Sequence, residues 1–211
     1  MYSSKPAYVF GFHGLDETVG RAVLNNETEL KHSKNSYDWL GHGVYFWENS
    51  FERARQYAEE SQVRKDSTIQ NPFVIGAIID LGNCLDLLDK KCLDLLRNAY
   101  IELELTLKER NAYIELELSL EEWGQELPTN TPFGANDFDF KKRELDCAVI
   151  RYALEMAADE GIYFDSVRAA FWEGEELYPT AGFKTHNHIQ LCIINPDCIK
   201  GIFLPREKQV K

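Results

Sequence analysis

The chain has 211 residues, enough to bury a sizeable core, and its 44% hydrophobic and 27% charged content is that of a globular domain and not of a disordered tail. A net charge of −12 argues against tight sequence-independent binding to a phosphate backbone, which draws on clustered Lys and Arg, while leaving nucleic acid open as a substrate. The start "MYSSKPAYVF" has no apolar signal-type core, and no later run reaches membrane-spanning length, so a cytoplasmic protein without a membrane partner is expected. The five cysteines are an odd number without a CxxC pair or a His at metal-ligand spacing, which points to free thiols and no structural metal.

In chain order, "YVFGFHGLD" alternates as a strand, with Tyr8, Phe10 and Phe12 on one face and Val9, Gly11 and His13 on the other. The small neighbours leave room beside the His13 imidazole. Asp16 is placed to cap a short helix with Val19, Val23 and Leu24 as its stripe, and a polar loop follows over 26–38. "GHGVYFW" is a glycine turn and a strand, with Val44 and Phe46 facing one way and Tyr45 and Trp47 the other. Asn49 with Glu52 resembles a cap for the helix "SFERARQYAEE", whose Phe51, Ala54 and Ala58 face inward.

"FVIGAIIDLGN" is too short and too β-branched for a good helix and is expected as a buried strand. Residues 85–123 are expected as helix, forming an acidic insertion near 85–125. It contains a tandem in which "RNAYIELELTLKE", 97–109, is followed at once by "RNAYIELELSLEE", 110–122. Thirteen residues is not a whole number of helical turns, so the copies cannot present one face on a straight helix. Lys141-Lys142-Arg143 is a local basic edge, read as a solvated helix start. "RELDCAVIRYALEMAADEG" is an amphipathic helix with Leu145, Val149, Tyr152 and Met156 on its stripe, ended by Gly161. A strand and then a loop are expected in "IYFDSVRAAFWEGEELYPTAGF". Two strands around an Asn-Pro turn close the chain in "HIQLCIINPDCIKGIFLP".

Three stretches concentrate chemistry. His13 ends the first strand, Tyr45 and Tyr57 can flank a flat ring, and Gln190 sits on an otherwise apolar strand face where burial would require a partner. "FHG", "LGHGVYFWENSFERARQYA", "DLGNCLDLLD" and "QLCIINPDCI", in that order, resemble segments of the ADP-ribosyltransferases of the poly(ADP-ribose)-polymerase and diphtheria-toxin clade, whose signature is His, Tyr and then usually Glu.

The resemblance implies an α+β fold in which two small, mostly antiparallel sheets form a cleft for NAD, within a single catalytic domain over 1–211. It implies that His13 binds a ribose hydroxyl, that the Gly14 backbone grips the nicotinamide carboxamide, and that Tyr45 and Tyr57 sandwich the nicotinamide ring. The 26–38 loop would lie over the rest of the dinucleotide. Ala54 stands where the family usually has a carboxamide-binding Ser. Gln190 stands at the Glu position, and an amide can neither take a proton nor supply a full negative charge, so poly(ADP-ribose) elongation is not expected.

Glu173, in a Gly-containing segment before the last strand pair, is the candidate acceptor-side base, and Arg168 the candidate phosphate or acceptor contact. The expected activity is NAD-dependent mono-ADP-ribosyl transfer to a macromolecular acceptor, protein or nucleic acid, as in bacterial toxins or phage-defence effectors. An antitoxin or inhibitor is a possible partner. An NAD glycohydrolase and a non-catalytic ADP-ribose or NAD-binding module stay open as alternatives.

Overall fold

The computed structural model describes residues 8–65, 67–116, 126–132 and 139–206, with backbone alone for 110–116. The alternating N-terminal run forms β1, Val9–Asp16, and leads into α1, Glu17–Leu24; then come β2, Val44–Glu48, α2, Phe51–Gln62, and β3, Pro72–Ile79. β4, Cys84–Asp86, precedes the long α3, Lys90–Leu116, and a short ribbon of β5, Asn130–Thr131, and β6, Lys142–Arg143, leads to α4, Glu144–Asp159. β7, Ser166–Phe171, β8, His188–Ile193, and β9, Ile199–Phe203, complete a mixed α+β fold.

The main sheet has seven strands in the order β4-β7-β8-β2-β1-β3-β9, antiparallel throughout except for the β4–β7 pair. The expected pair of sheets is therefore one hydrogen-bonded sheet. Its weakest seam lies between β1 and β2, which share only the register pairs Gly11↔Glu48 and Phe12↔Trp47. Beyond these, β1 runs on with β3 to Asp16↔Pro72, while β2 runs with β8 to Val44↔Ile193. Each strand follows its other neighbour, and the two part.

One face of the sheet is sealed across this seam by apolar packing. Val44, Phe46, Leu191 and Ile193 from β2 and β8 join Ala77 and Ile79 from β3 in a single buried cluster. Gly11 makes this possible: a β-carbon there would press on both Phe46 and Ile79. On the other face α2 covers the β1–β3 side, where Ala54 meets Trp47 and Val74, and α4 covers the β7–β8 side, where Ile150 meets Leu85, Val167 and Cys192. α3 lies on α4 through Ala99, Val149 and Ala153, with the expected Leu145, Tyr152 and Met156 beside them.

Several local expectations hold in kind and shift in detail. The Asp16 carboxylate caps α1 by accepting from the Thr18 amide, and also accepts from the Gln70 and Asn71 amides; those hydrogen bonds pull its pKa down to about 2. Val23 is buried as expected, but Val19 faces solvent because Gly20 takes the inner position against Phe73. The cap of α2 is Ser50, not Asn49, because Asn49 turns the chain at φ 52° and ties its amide to the Phe10 carbonyl. Leu85 and Asp86 are strand rather than helix, since they pair with Val167 and Arg168. The first tandem copy lies in α3; the side chains of the second, and all of 117–122, fall outside the described residues. The five cysteines, all among the described residues, form no disulfide. Among the described residues no helix is long and apolar enough to cross a membrane.

Gly14 fixes the approach of α2, since a β-carbon on it would run into the Ala54 carbonyl. Backbone cannot yield as a flexible side chain would, so Gly14→Ala is expected to cost roughly 1–3 kcal/mol of stability in a denaturant titration.

Candidate functional site

A cleft of about 350 Å³ opens where β1 and β2 part, beside the helix α2, and is of the size that holds small ligands and cofactors. β1 contributes His13, β2 contributes Tyr45 and Trp47, α2 contributes Arg53 and Tyr57, and β8 contributes His188 and Gln190. Glu173 enters from the segment after β7, and the 26–38 loop adds Lys31, Ser33, Asn35, Tyr37 and Asp38. The structure thus brings His13, Tyr45, Tyr57, Glu173 and Gln190 into one cavity.

His13 bridges the seam. Its Nδ1–H donates to the Tyr45 carbonyl at 2.6 Å, which leaves Nε2 as a bare lone pair, and burial pushes the imidazole pKa below its usual 6.5. At neutral pH the ring is an uncharged acceptor. The Tyr45 hydroxyl donates to the Gly41 carbonyl at 2.6 Å and accepts from the Leu40 amide at 2.9 Å, so the phenol is anchored in the 40–43 turn, and burial raises its pKa. Its register partner is Cys192, as the register partner of Trp47 is Gln190, which sets these side chains on the cleft face of the sheet. Tyr57 leans on Trp47, with ring centroids 4.9 Å apart, and the Arg64 guanidinium lies 5.7 Å over its ring.

The buried polar atoms are unevenly satisfied. Gln190 Oε1, Trp47 Nε1, His188 Nε2 and the Nε and Nη1 atoms of Arg53 are buried without a hydrogen-bond partner, and all four residues line the cleft. Native proteins leave few such atoms, at about 1–3 kcal/mol each. Their concentration in one cavity fits a surface that a ligand completes.

Glu173 is buried, with Arg53 Nη2 at 3.4 Å and His188 Nδ1 at 3.6 Å. Burial lifts its carboxyl above the usual 4.5 in spite of the Arg53 charge. His188 is held differently from an ion-pair partner: its Nδ1–H donates to the His186 carbonyl at 2.8 Å, and burial lowers its pKa to about 4. It is neutral at neutral pH.

Two expected site residues lie elsewhere. Gly14 is absent from the cleft lining and serves the packing of α2. Arg168 is not in a loop but in the middle of β7, where its register partner Leu191 assigns it to the face opposite Gln190. There it binds Glu48 in bidentate fashion at 2.6 and 3.1 Å and Asp86 at 3.3 Å. Conversely, Trp47, His188, Arg53, Trp39 and Lys141 line the cleft without having been assigned to it from sequence. Two carried a usable signal: His188 shares a strand face with Gln190 two residues on, and Arg53 stands one helical turn before Tyr57. Among the described residues no group of three or more His, Cys, Asp or Glu side chains is arranged to hold a metal ion.

Comparison with protein-family models, with curated proteins and with solved structures finds no match to this chain. The site is therefore read from its own geometry.

The Arg168 assignment makes a separable prediction. Arg168→Met removes the guanidinium from two carboxylates that are 10% and 5% exposed, and is expected to cost about 3–5 kcal/mol in chemical denaturation. If Arg168 contacted a ligand phosphate instead, ligand affinity would fall while stability stayed near wild type.

Proposed function

We propose that this protein is an NAD-dependent mono-ADP-ribosyltransferase whose dinucleotide lies in the β1–β2 cleft. The observation that carries the reading is the convergence of His13, Tyr45, Tyr57 and Gln190, drawn from four separate elements, on one cavity lined by unpartnered polar atoms. The residues fit NAD chemically. The bare Nε2 of His13 accepts from a ribose hydroxyl, and the Tyr45 and Tyr57 rings offer stacking surface to the nicotinamide. In a chain of net charge −12, the cations Lys31, Arg53, Arg64 and Lys141 all lie at this cleft, where they suit a pyrophosphate.

In the transfer step the bond between C1 of the ribose and the nicotinamide nitrogen breaks, and nicotinamide leaves with the bonding pair. Positive charge builds on the ribose, an acceptor oxygen or nitrogen forms the new bond to C1, and the acceptor proton passes to the Glu173 carboxylate. Gln190 orients hydroxyls without providing charge; of the carboxylates at the cleft, Asp38 is held by Ser33 and Asn35 and Glu60 is half exposed, and the buried Glu173 serves both as counter-charge and as base.

Purified protein incubated with radiolabelled NAD and a cell lysate is expected to give macromolecular label. Its loss on nuclease treatment would identify a nucleic-acid acceptor, and its loss on protease treatment a protein. Release of free ADP-ribose in step with nicotinamide, without labelled macromolecule, would make the protein a glycohydrolase. Intact NAD would overturn the enzymatic reading. Tyr45→Ala and His13→Ala are each expected to weaken NAD binding about five- to tenfold, through a lost stacking surface and a lost hydrogen bond. Because Glu173 titrates above 4.5, the acid limb of the rate profile is expected above that pH. Glu173→Gln should lower kcat on the order of 100-fold and abolish that limb, as loss of a general base does.

A further inference from the structure

Gln190 has one acceptor oxygen where a carboxylate would have two, and the cleft supplies another acceptor beside it. His188 stands two residues before Gln190 on the same face of β8, and Trp47 is the register partner of Gln190 on β2. These three side chains line the cleft, all are more than nine-tenths buried, and each presents a polar atom without a partner: Gln190 Oε1, His188 Nε2 and the Trp47 Nε1–H.

The ring of His188 is fixed. Its Nδ1–H is committed to the His186 carbonyl, so Nε2 can only accept. Trp39 stacks near it at 6.3 Å and 29°, and Phe171 lies at 5.6 Å and 36°. The imidazole is thus clamped by aromatic rings on a strand, the setting in which a binding group keeps its geometry before the ligand arrives.

The unpartnered buried atoms of the patch are two acceptors and one donor, and the Gln190 amide nitrogen adds N–H donors beside its oxygen. The two acceptors call for a ligand group with two donors, which describes neither a carboxylate nor the phosphodiester groups of a dinucleotide, since these have no proton to give at neutral pH. A vicinal diol satisfies it, because each hydroxyl donates once and each oxygen also accepts. We infer that Gln190, His188 and Trp47 form a ribose-diol subsite, with Gln190 Oε1 and His188 Nε2 each taking one hydroxyl. His188 is on this account a substrate-binding residue, and it accounts for how a Gln can stand at position 190 without loss of grip on the sugar. The inference rests on the NAD reading and names which groups hold its nicotinamide ribose.

The test is calorimetric binding of NAD, and of NAD analogues lacking the 2′- or the 3′-hydroxyl of the nicotinamide ribose, to the full chain and to its His188→Phe and His188→Asn variants. Wild type is expected to bind each deoxy analogue at least tenfold more weakly than NAD. His188→Phe, which keeps the ring contacts and removes the lone pair, should bind NAD at least tenfold more weakly and lose discrimination against one analogue. His188→Asn, whose amide oxygen restores an acceptor, should recover part of the affinity. Wild-type NAD affinity in a folded His188→Phe protein would overturn the role of His188 and leave the NAD reading standing. If that variant does not fold, the wild-type series still decides: an analogue that binds as tightly as NAD overturns the two-acceptor subsite. Failure of wild type to bind NAD at all overturns both the subsite and the reading beneath it.

Discussion

The architecture turns on the parting of β1 and β2 after only two register pairs. A sheet normally extends its ladder as far as two strands run side by side, because each unpaired buried amide or carbonyl is costly. Here the ladder stops at Phe12↔Trp47, and the Nδ1–H of His13 takes the Tyr45 carbonyl instead. That hydrogen bond ties the edges of the gap together and at the same time fixes which imidazole nitrogen faces the cavity. The apolar cluster beneath, with Phe46 packed onto Ile79 over Gly11, keeps both halves of the sheet attached while the seam stays open.

The electrostatics of the cavity follow from its depth. Burial moves His13 and His188 toward their neutral forms and raises the Glu173 carboxyl, so the cleft holds two uncharged acceptors and one carboxylate whose titration lies nearer neutrality than a surface glutamate's. Arg53 offsets that carboxylate on one side and keeps two nitrogens without hydrogen-bond partners on the other, one of them 4.0 Å from the Glu60 carboxylate. Such a site sets a guanidinium, neutral acceptors and a carboxylate in one place, and the proposed chemistry at a ribose joined to a pyrophosphate would use all three.

Strand alternation put His13 on a face with small neighbours, Tyr45 on a face with Trp47, and Gln190 on an otherwise apolar face, and all three line one cleft with Tyr57 from the helix after β2. Alternation also erred in instructive ways. Arg168 was assigned with Glu173 to a loop-like segment before the last strand pair, but β7 runs through it, and its register with Leu191 sets it on the face opposite Gln190. Val19 and Asn49 failed for a related reason, since Gly20 and a left-handed turn each moved a boundary by one position. Trp39 and Lys141 were unreadable in principle from local pattern. They are 102 residues apart and are joined by the Trp39 Nε1–H donating to the Lys141 carbonyl at 2.8 Å, a contact that only the assembled fold creates.

The most direct test of the account is a crystal structure of the protein with a non-hydrolysable NAD analogue. The account predicts the dinucleotide in the β1–β2 cleft, with ribose hydroxyls within hydrogen-bond distance of His13 Nε2 and Gln190 Oε1 and the nicotinamide ring against Tyr45. A dinucleotide bound elsewhere, or a cleft whose bare polar atoms are met by water alone at saturating ligand, would contradict it.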